Sequence, residues 1–489
     1  MGEKLVIVGG GLAGLSAGIY AREAGWEVTL CEMSYRVGGC CSGWTRRGCL
    51  IDNCIHWLCG TANGVSQNRL WREIGALSDD VPILRREEIT SSELGGRRAT
   101  LWRDLERTRR ELTELSPADA PEIDRLIENA RLVGKMSVCE KPGAALSAFW
   151  EETRRRWRLA FLSEKLSYLS LTIGEYAQKF QDPLLRQLIL DFCVPEYECY
   201  WLFLTYGMVA AGNGDIPAGG SEGLSRRVGA RFEELGGRIC LSTEITKIHF
   251  SGNRAVSAES ADGVIFPCDR LLLACDLHEA YDRLLGWDAA PKGLREDFEK
   301  LPAASSFQAA FLVHDLCEGI SDTLTFPCAP FSCAGREFDR LWMKNYRHYG
   351  PEVAPEGCTV VQCNLPQYTK ESEFWRAASQ NPDFYRAEKA RVADEVAARL
   401  IERFPELAGK VECLDAWTPQ SYAKRQANWR GEYMRYFSGV NGPGAFLPLK
   451  PKGLKNVYFA GHRLRYPGGT PTAAATGRDV VALMKKDRK

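Results

Sequence analysis

Lys4-Leu-Val-Ile-Val8, Gly9-Gly-Gly11-Leu-Ala-Gly14 and Glu27-Val-Thr-Leu-Cys-Glu32 decide the fold of this chain. The first run is short, apolar and β-branched, as in a strand buried on both faces of a parallel sheet. Residues 15–24 read as a helix ended by Gly25, and 27–32 as a second strand. Strand, glycine turn, helix and strand thus follow one another, with an acid 18 residues after Gly14. Gly9 permits the tight turn. Gly11 lets a pyrophosphate reach the backbone at the helix N-terminus, where unpaired N–H groups and the dipole stabilise an anion. Gly14 allows close packing of helix on strand. Leu12 and Ala13, between these glycines, share the binding turn. Glu32 can accept both ribose hydroxyls and would repel a 2′-phosphate, so the ligand is FAD or NAD rather than NADP.

Length and composition are compatible with this class. The 489 residues suggest roughly three units of about 150 residues, or two large ones. Apolar residues make up 45% and charged residues 26%, ordinary for a soluble globular chain. Lys+Arg and Asp+Glu are both 63, which argues against a nucleic-acid binder that works by phosphate neutralisation. Met1-Gly2-Glu3-Lys4 runs straight into the first strand, so no signal peptide is expected and the expected location is cytoplasmic. The uncharged run 199–214 is too short to span a bilayer. The 18 cysteines are scattered and form no Cys-x-x-Cys, so no metal site is expected; most should be small, buried, reduced thiols.

Tyr35-Arg36-Val-Gly38-Gly39 follows the second strand, placing a basic side chain and two glycines where the chain can pass the same pyrophosphate. Here the sequence resembles the FAD oxidoreductases of the phytoene desaturase, carotenoid isomerase and amine oxidase group, which carry an Arg-x-Gly-Gly motif after the ribose-binding acid. The resemblance implies FAD rather than NAD. The group often has a second Arg after the glycines. Cys40 stands there instead, and Ser42 is a candidate replacement for that phosphate contact. Asn456-Val-Tyr-Phe-Ala-Gly461 and Pro467-Gly-Gly-Thr-Pro-Thr472 resemble the group's closing strand and helix. Gly461, His462 (in place of the usual acid), Gly469, Thr470 and Pro471 are then cofactor contacts. Thr470 is expected to cap the helix with Pro471 at its first position. The helix's positive end would stabilise the charge that a reduced flavin carries near N1.

The fold class is therefore α/β: a Rossmann-like FAD-binding domain with a discontinuous substrate domain, a mixed sheet plus a helical insertion. FAD-binding parts are assigned to 1–85, 214–290 and 436–489. The substrate domain takes 86–213, including the helical insertion, and 291–435. In the resembling group the backbone near Ile245 lies beside adenine. Residues 89–104 read as a hairpin turning at Gly95-Gly96, and 306–315, 358–365 and 411–418 as strands. A second dinucleotide fingerprint is absent, since Gly212-Asn-Gly214 lacks the strand, third glycine and helix. The electron donor or acceptor is thus expected from outside.

Catalytic candidates come from the resemblance. The group passes Leu50-Ile-Asp-Asn-Cys-Ile-His56-Trp57 beside the isoalloxazine, which makes His56 a candidate acid/base or flavin partner, against a satisfied core histidine. Trp57 is then a packing wall. Tyr433 lies in a stretch that the group folds over the flavin. Trp150, Trp157 and Phe161 interleave with Arg154-Arg-Arg156; an interfacial helix delivering a lipid-like substrate is weighed there against a solvated face. The leading expectation is an FAD-dependent oxidoreductase that desaturates, saturates or isomerises an apolar unsaturated, isoprenoid-like substrate. The alternatives are a flavin amine oxidase, which needs an aromatic cage, and an FAD-binding regulatory protein without turnover.

Overall fold

In the computed structural model, which describes residues 2–134, 171–301, 304–433, 446–466 and 468–487, the Lys4–Val8 strand is flanked on both sides. It pairs in parallel with Glu27–Cys31 and with Arg270–Leu273. Arg238–Cys240 and Val457–Phe459 extend the sheet at its two edges, again in parallel. Parallel strands need crossovers, and here helices Leu12–Glu23 and Gly220–Glu234 cover the sheet. The edge strand ends at Cys240, and Ser242 takes a left-handed φ of 51° just beyond it. The chain resumes at Ile245–Ser251 in a three-stranded antiparallel meander.

The glycines have different jobs. A Cβ on Gly9 would lie 2.9 Å from the backbone of Ala274, and one on Gly14 would lie 2.1 Å from the Gly9 carbonyl oxygen. Helix Gly469–Lys486 packs along helix Leu12–Glu23, and Ser16 Oγ donates to the Ala474 carbonyl at 2.8 Å. At Gly477 a Cβ would meet Ala13 O at 2.4 Å and Ala17 N at 2.8 Å, so the two helices touch backbone to backbone. Both N-termini open on the same cavity. Gly477→Ala is expected to destabilise the protein by about 1–3 kcal/mol, because the obstacle is main chain and cannot swing aside. The urea midpoint measures it, and an unchanged midpoint would contradict this packing. The cap of this helix is Gly468, not Thr470: positive φ at Gly468 and Gly469 turns the chain into the helix, and no side chain caps it.

A second sheet of seven strands lies across the cavity, in the order Val411–Trp417, Ser305–Val313, Thr359–Gln367, Arg336–Asn345, Thr323–Cys333, Glu88–Leu94, Arg97–Trp102. Every pair is antiparallel except Thr323–Cys333 with Glu88–Leu94. One face packs Phe307, Phe311, Leu324, Leu341, Met343 and Val361 against helices Thr369–Ala378 and Pro382–Arg403. A helical cluster including Ala120–Val133, Pro183–Phe192 and Cys199–Ala210 buries its own apolar core beside the hairpin Glu88–Trp102. The uncharged run therefore forms a buried helix, and no helix among the described residues is long and apolar enough to cross a membrane. Trp150, Trp157, Phe161 and Arg154–Arg156 lie outside the described residues.

Candidate functional site

A cavity of about 790 Å³ runs from the glycine turn to the seven-stranded sheet. At one end lie Gly9, Gly11, Leu12 and Ala13, with Gly38 and Gly39 passing alongside. The Gly38 N–H donates to the Gly10 carbonyl at 2.8 Å, which fixes the second glycine pair against the first. Glu32, at the end of its strand, accepts from the N–H of Gly10 at 2.6 Å and of Ser34 at 2.8 Å. Burial pushes its carboxyl up, and those two donors pull it back. Ile245 lines this end as well.

The cavity fits a dinucleotide by its missing side chains. Among the described residues a Cβ on Gly11 would meet no atom nearer than 3.9 Å, and one on Gly461 none within 4 Å. At both places bare backbone faces the cavity, which is what close approach of a pyrophosphate or a flavin requires. The Gly461 N–H donates to Thr476 Oγ1 at 3.0 Å and so holds its strand to the last helix. His462, Gly469, Thr470 and Pro471 line the same wall. Gly14 lies beneath the turn rather than on the cavity, as its packing role requires.

Two residues expected at the pyrophosphate stand elsewhere. Arg36 turns back to donate to the Gly43 carbonyl, with its guanidinium 5.0 Å from the Tyr35 ring. Arg36 and Ser42 line an adjoining pocket of about 300 Å³ on the far side of Glu32 and Gly39. A free carbonyl beside a half-buried guanidinium outweighs an unscreened position in the open cavity.

At the other end His56 and Trp57 face the seven-stranded sheet. Asp52 sets their loop: its carboxylate accepts from the N–H groups of Cys54, Ile55 and Ser221. His56 Nδ1 lies 3.4 Å from Lys344 Nζ, and the His56 carbonyl accepts from Arg86 at 3.3 Å. The Trp342 ring stands edge-on to His56 at 5.5 Å. Burial, then Lys344 and Arg86, hold the imidazole well below its usual range, so His56 does not titrate near neutrality. Lys344 is itself buried; burial and Arg86 hold its amine well below the ordinary lysine range. Its Nζ also donates to the Tyr349 hydroxyl, which donates to the Ile55 carbonyl at 3.1 Å. Tyr433 lines the cavity, donates to Ser306 Oγ at 3.0 Å and packs on Tyr422; burial pushes its hydroxyl up to about 12.

Arg86, Lys344 and Tyr349 were not singled out in the sequence. The one available signal was the alternation Leu341, Met343 against Trp342, Lys344, which puts the lysine and a tryptophan on one strand face. Glu432, beside Tyr433, is a further surprise. It is 1% exposed and neither carboxylate oxygen has a hydrogen-bond partner among the described residues. Burial pushes it up to about 7 from 4.5, although Arg463 and Arg430 pull the other way. Between those values the folded state keeps a proton that the unfolded chain releases. Stability is thus full below about pH 4.5 and declines as pH rises through 7. Glu432→Gln is expected to be near neutral at pH 4.5 and to stabilise by about 2–3 kcal/mol at pH 8. Denaturant midpoints at the two pH values measure it, and equal shifts at both would contradict the burial argument.

Comparisons with known proteins agree with this geometry. Over its whole length the chain is similar to the 4,4′-diapolycopene oxygenase of Methylomonas sp., 23% identical over 521 aligned residues and covering 98% of this chain and 97% of that protein. It is likewise similar to the lycopene-forming phytoene desaturase of a Paracoccus species, 21% identical over 509 residues, covering 99% and 98%. The solved structure of a putrescine oxidase variant shares the fold, with a TM-score of 0.63 at 15% identity over 100% of both chains. The family model for flavin containing amine oxidoreductases matches residues 12–333, a stretch that takes in Glu32, His56, Arg86 and the strand Thr323–Cys333 up to its end. With that match across most of the cavity wall, the chain belongs to the flavin containing amine oxidoreductases and is an FAD-dependent oxidoreductase.

Proposed function

We propose that this oxidoreductase acts on carbon–carbon bonds of a largely apolar, unsaturated substrate, by desaturation, saturation or isomerisation. The observation that carries the reading is continuity: Ile89, Phe192, Val194, Trp201 and Leu204 line the same cavity as the glycine turn, so an apolar body can lie against them and reach the flavin end. The polyene-directed names of the two full-length relatives support it. FAD, when bound, supplies hydride or electron acceptance.

The protein's own part is positioning and proton handling. Gly11, Gly461 and Glu32 would hold the dinucleotide, together with Ile245 at one end of the cavity wall and Thr470 and Pro471 at the start of the last helix. His56 is held neutral with Nδ1 3.4 Å from Lys344 Nζ; Lys344 donates to Tyr349 and Tyr349 to the Ile55 carbonyl, so this chain of hydrogen bonds orients the imidazole, and any proton His56 moves is exchanged between its ring and the substrate. Tyr433 keeps its proton and orients through Ser306. Arg86, a permanent cation, disfavours an ammonium in the same chamber, which weighs against an amine substrate. The electron partner is external, and the reading places the protein in the cytoplasm.

Anaerobic photoreduction tests the proposal. The reduced protein is expected to be reoxidised by polyenes or enones and the oxidised protein left unreduced by amines. Reduction by amines would favour the amine oxidase, and silence toward both would favour a binding protein without turnover.

A further inference from the structure

An apolar substrate asks for apolar walls, and the seven-stranded sheet does not supply one. Its register sets side chains in rows across the face turned to the cavity. Thr323, Lys344 and Gln362 form one row, and Thr325, Trp342, Asn364 and Gln308 form the next. The apolar alternates Leu324, Met343, Cys363 and Phe307 belong to the cluster behind the sheet. The polar face is thus a fixed consequence of the strand period: one residue of slip would bring the apolar set forward.

Hydrogen-bonding capacity is left over on this face. Thr325 Oγ1 and Asn364 Oδ1 are buried, have no partner among the described residues, and belong to residues that line the cavity. Arg86 is 9% exposed and Lys344 1%, and both line it too. Neither forms an ion pair with a carboxylate among the described residues. Asp322, which acts on both through space, is bonded instead to Arg347 at 3.0 Å and His348 at 3.1 Å. Arg86 spends its donors on Thr323 Oγ1 and the His56 carbonyl. A buried guanidinium with no carboxylate bonded to it is costly, and a ligand that supplies an acceptor oxygen relieves that cost. A hydrocarbon would leave it in place.

We propose that the substrate is amphipathic, an unsaturated apolar body bearing a carbonyl or carboxylate oxygen that Arg86 and Lys344 hold against the polar face of the sheet. The body lies on the opposite wall, against Phe192, Val194, Trp201 and Leu204. Thr325 Oγ1 is a further donor for the same oxygen. This rests on the flavoenzyme reading only for the reaction; the recognition itself needs the cavity, the Arg86 guanidinium and the Lys344 amine as hydrogen-bond donors.

The test uses three ligands on one C15 isoprenoid skeleton: the hydrocarbon, the aldehyde and the carboxylate. Binding is read both as a perturbation of flavin absorbance and as a shift in melting temperature. The aldehyde and carboxylate are expected to bind about 10–100-fold more tightly than the hydrocarbon, the range of a charge-assisted hydrogen bond. Arg86→Gln and Lys344→Met should bring the three within about threefold of one another by weakening the oxygenated pair alone. Equal binding of all three to the unsubstituted protein, or binding of none, overturns the proposal whether or not either variant folds. The same preference from ligands none of which reduces or reoxidises the flavin overturns the proposed carbon–carbon chemistry and leaves the recognition standing.

Discussion

Glu32→Arg is expected to weaken FAD binding by about 10²–10⁴-fold, the loss of two hydrogen bonds to a charged group. The carboxylate sits 2.6 Å from the Gly10 N–H and 2.8 Å from the Ser34 N–H, at the end of the second parallel strand. It is 6% exposed, so an arginine there puts a cation into a largely buried position. Glu32→Gln keeps one acceptor oxygen and should lose only about tenfold to a hundredfold. Titrating apoprotein with FAD and following the quenching of its fluorescence measures all three proteins. An arginine variant purified yellow, with one FAD per chain, would remove Glu32 from the dinucleotide site.

His56→Gln is expected to slow flavin reduction or reoxidation by about 10²–10⁴-fold while FAD stays bound. The pH dependence of stability offers an independent readout. Burial, Lys344 and Arg86 depress the imidazole, so below its ordinary pKa of 6.5 the unfolded chain binds a proton that the folded chain refuses. Stability therefore falls as the pH drops below 6.5, and glutamine should flatten that limb. Lys344→Met should do the same below 10.5, where the unfolded lysine is charged and the buried one resists its proton. Its advantage over the unsubstituted protein grows toward acid by at most about 1.4 kcal/mol per pH unit. A lowered melting temperature with unchanged single-turnover rates would make His56 a core residue and leave Tyr433 to be tested.

What the sequence disclosed follows from how local each signal is. The Lys4–Glu32 unit is contiguous, and every requirement of its turn is met within 29 residues. Strands at Ser305–Val313, Thr359–Gln367 and Val411–Trp417 stood out by their apolar alternation. The central pair Thr323–Cys333 and Arg336–Asn345 did not. Pro327 and Pro330 argue against a strand in the interior of a sheet, and the structure accommodates them with a register break between Pro327 and Phe331. Their turn, at Ala334-Gly335, has φ of 52° and 79°, and the first of these residues is not one that signals it. Since those strands carry Lys344 and Thr325, the polar end of the cavity stayed hidden with them. Arg36 is a different case: motif spacing gives the position of a side chain on the chain, not which of two nearby acceptors it will choose.

The parallel sheet joins Val457–Phe459 to strands laid down more than 180 residues earlier, and the helix that follows it meets Ala13 and Ala17. A ribosome adding about 5–20 residues per second makes Glu32 within seconds and reaches Gly477 only after roughly 20–100 s. For most of that interval the glycine turn is complete while the wall opposite it has not been made. Nascent chain therefore cannot load its nucleotide as it emerges, and half-made protein carries a bare apolar sheet edge. Scarcity of FAD would then act on finished chains awaiting closure, and chaperone demand on unfinished ones.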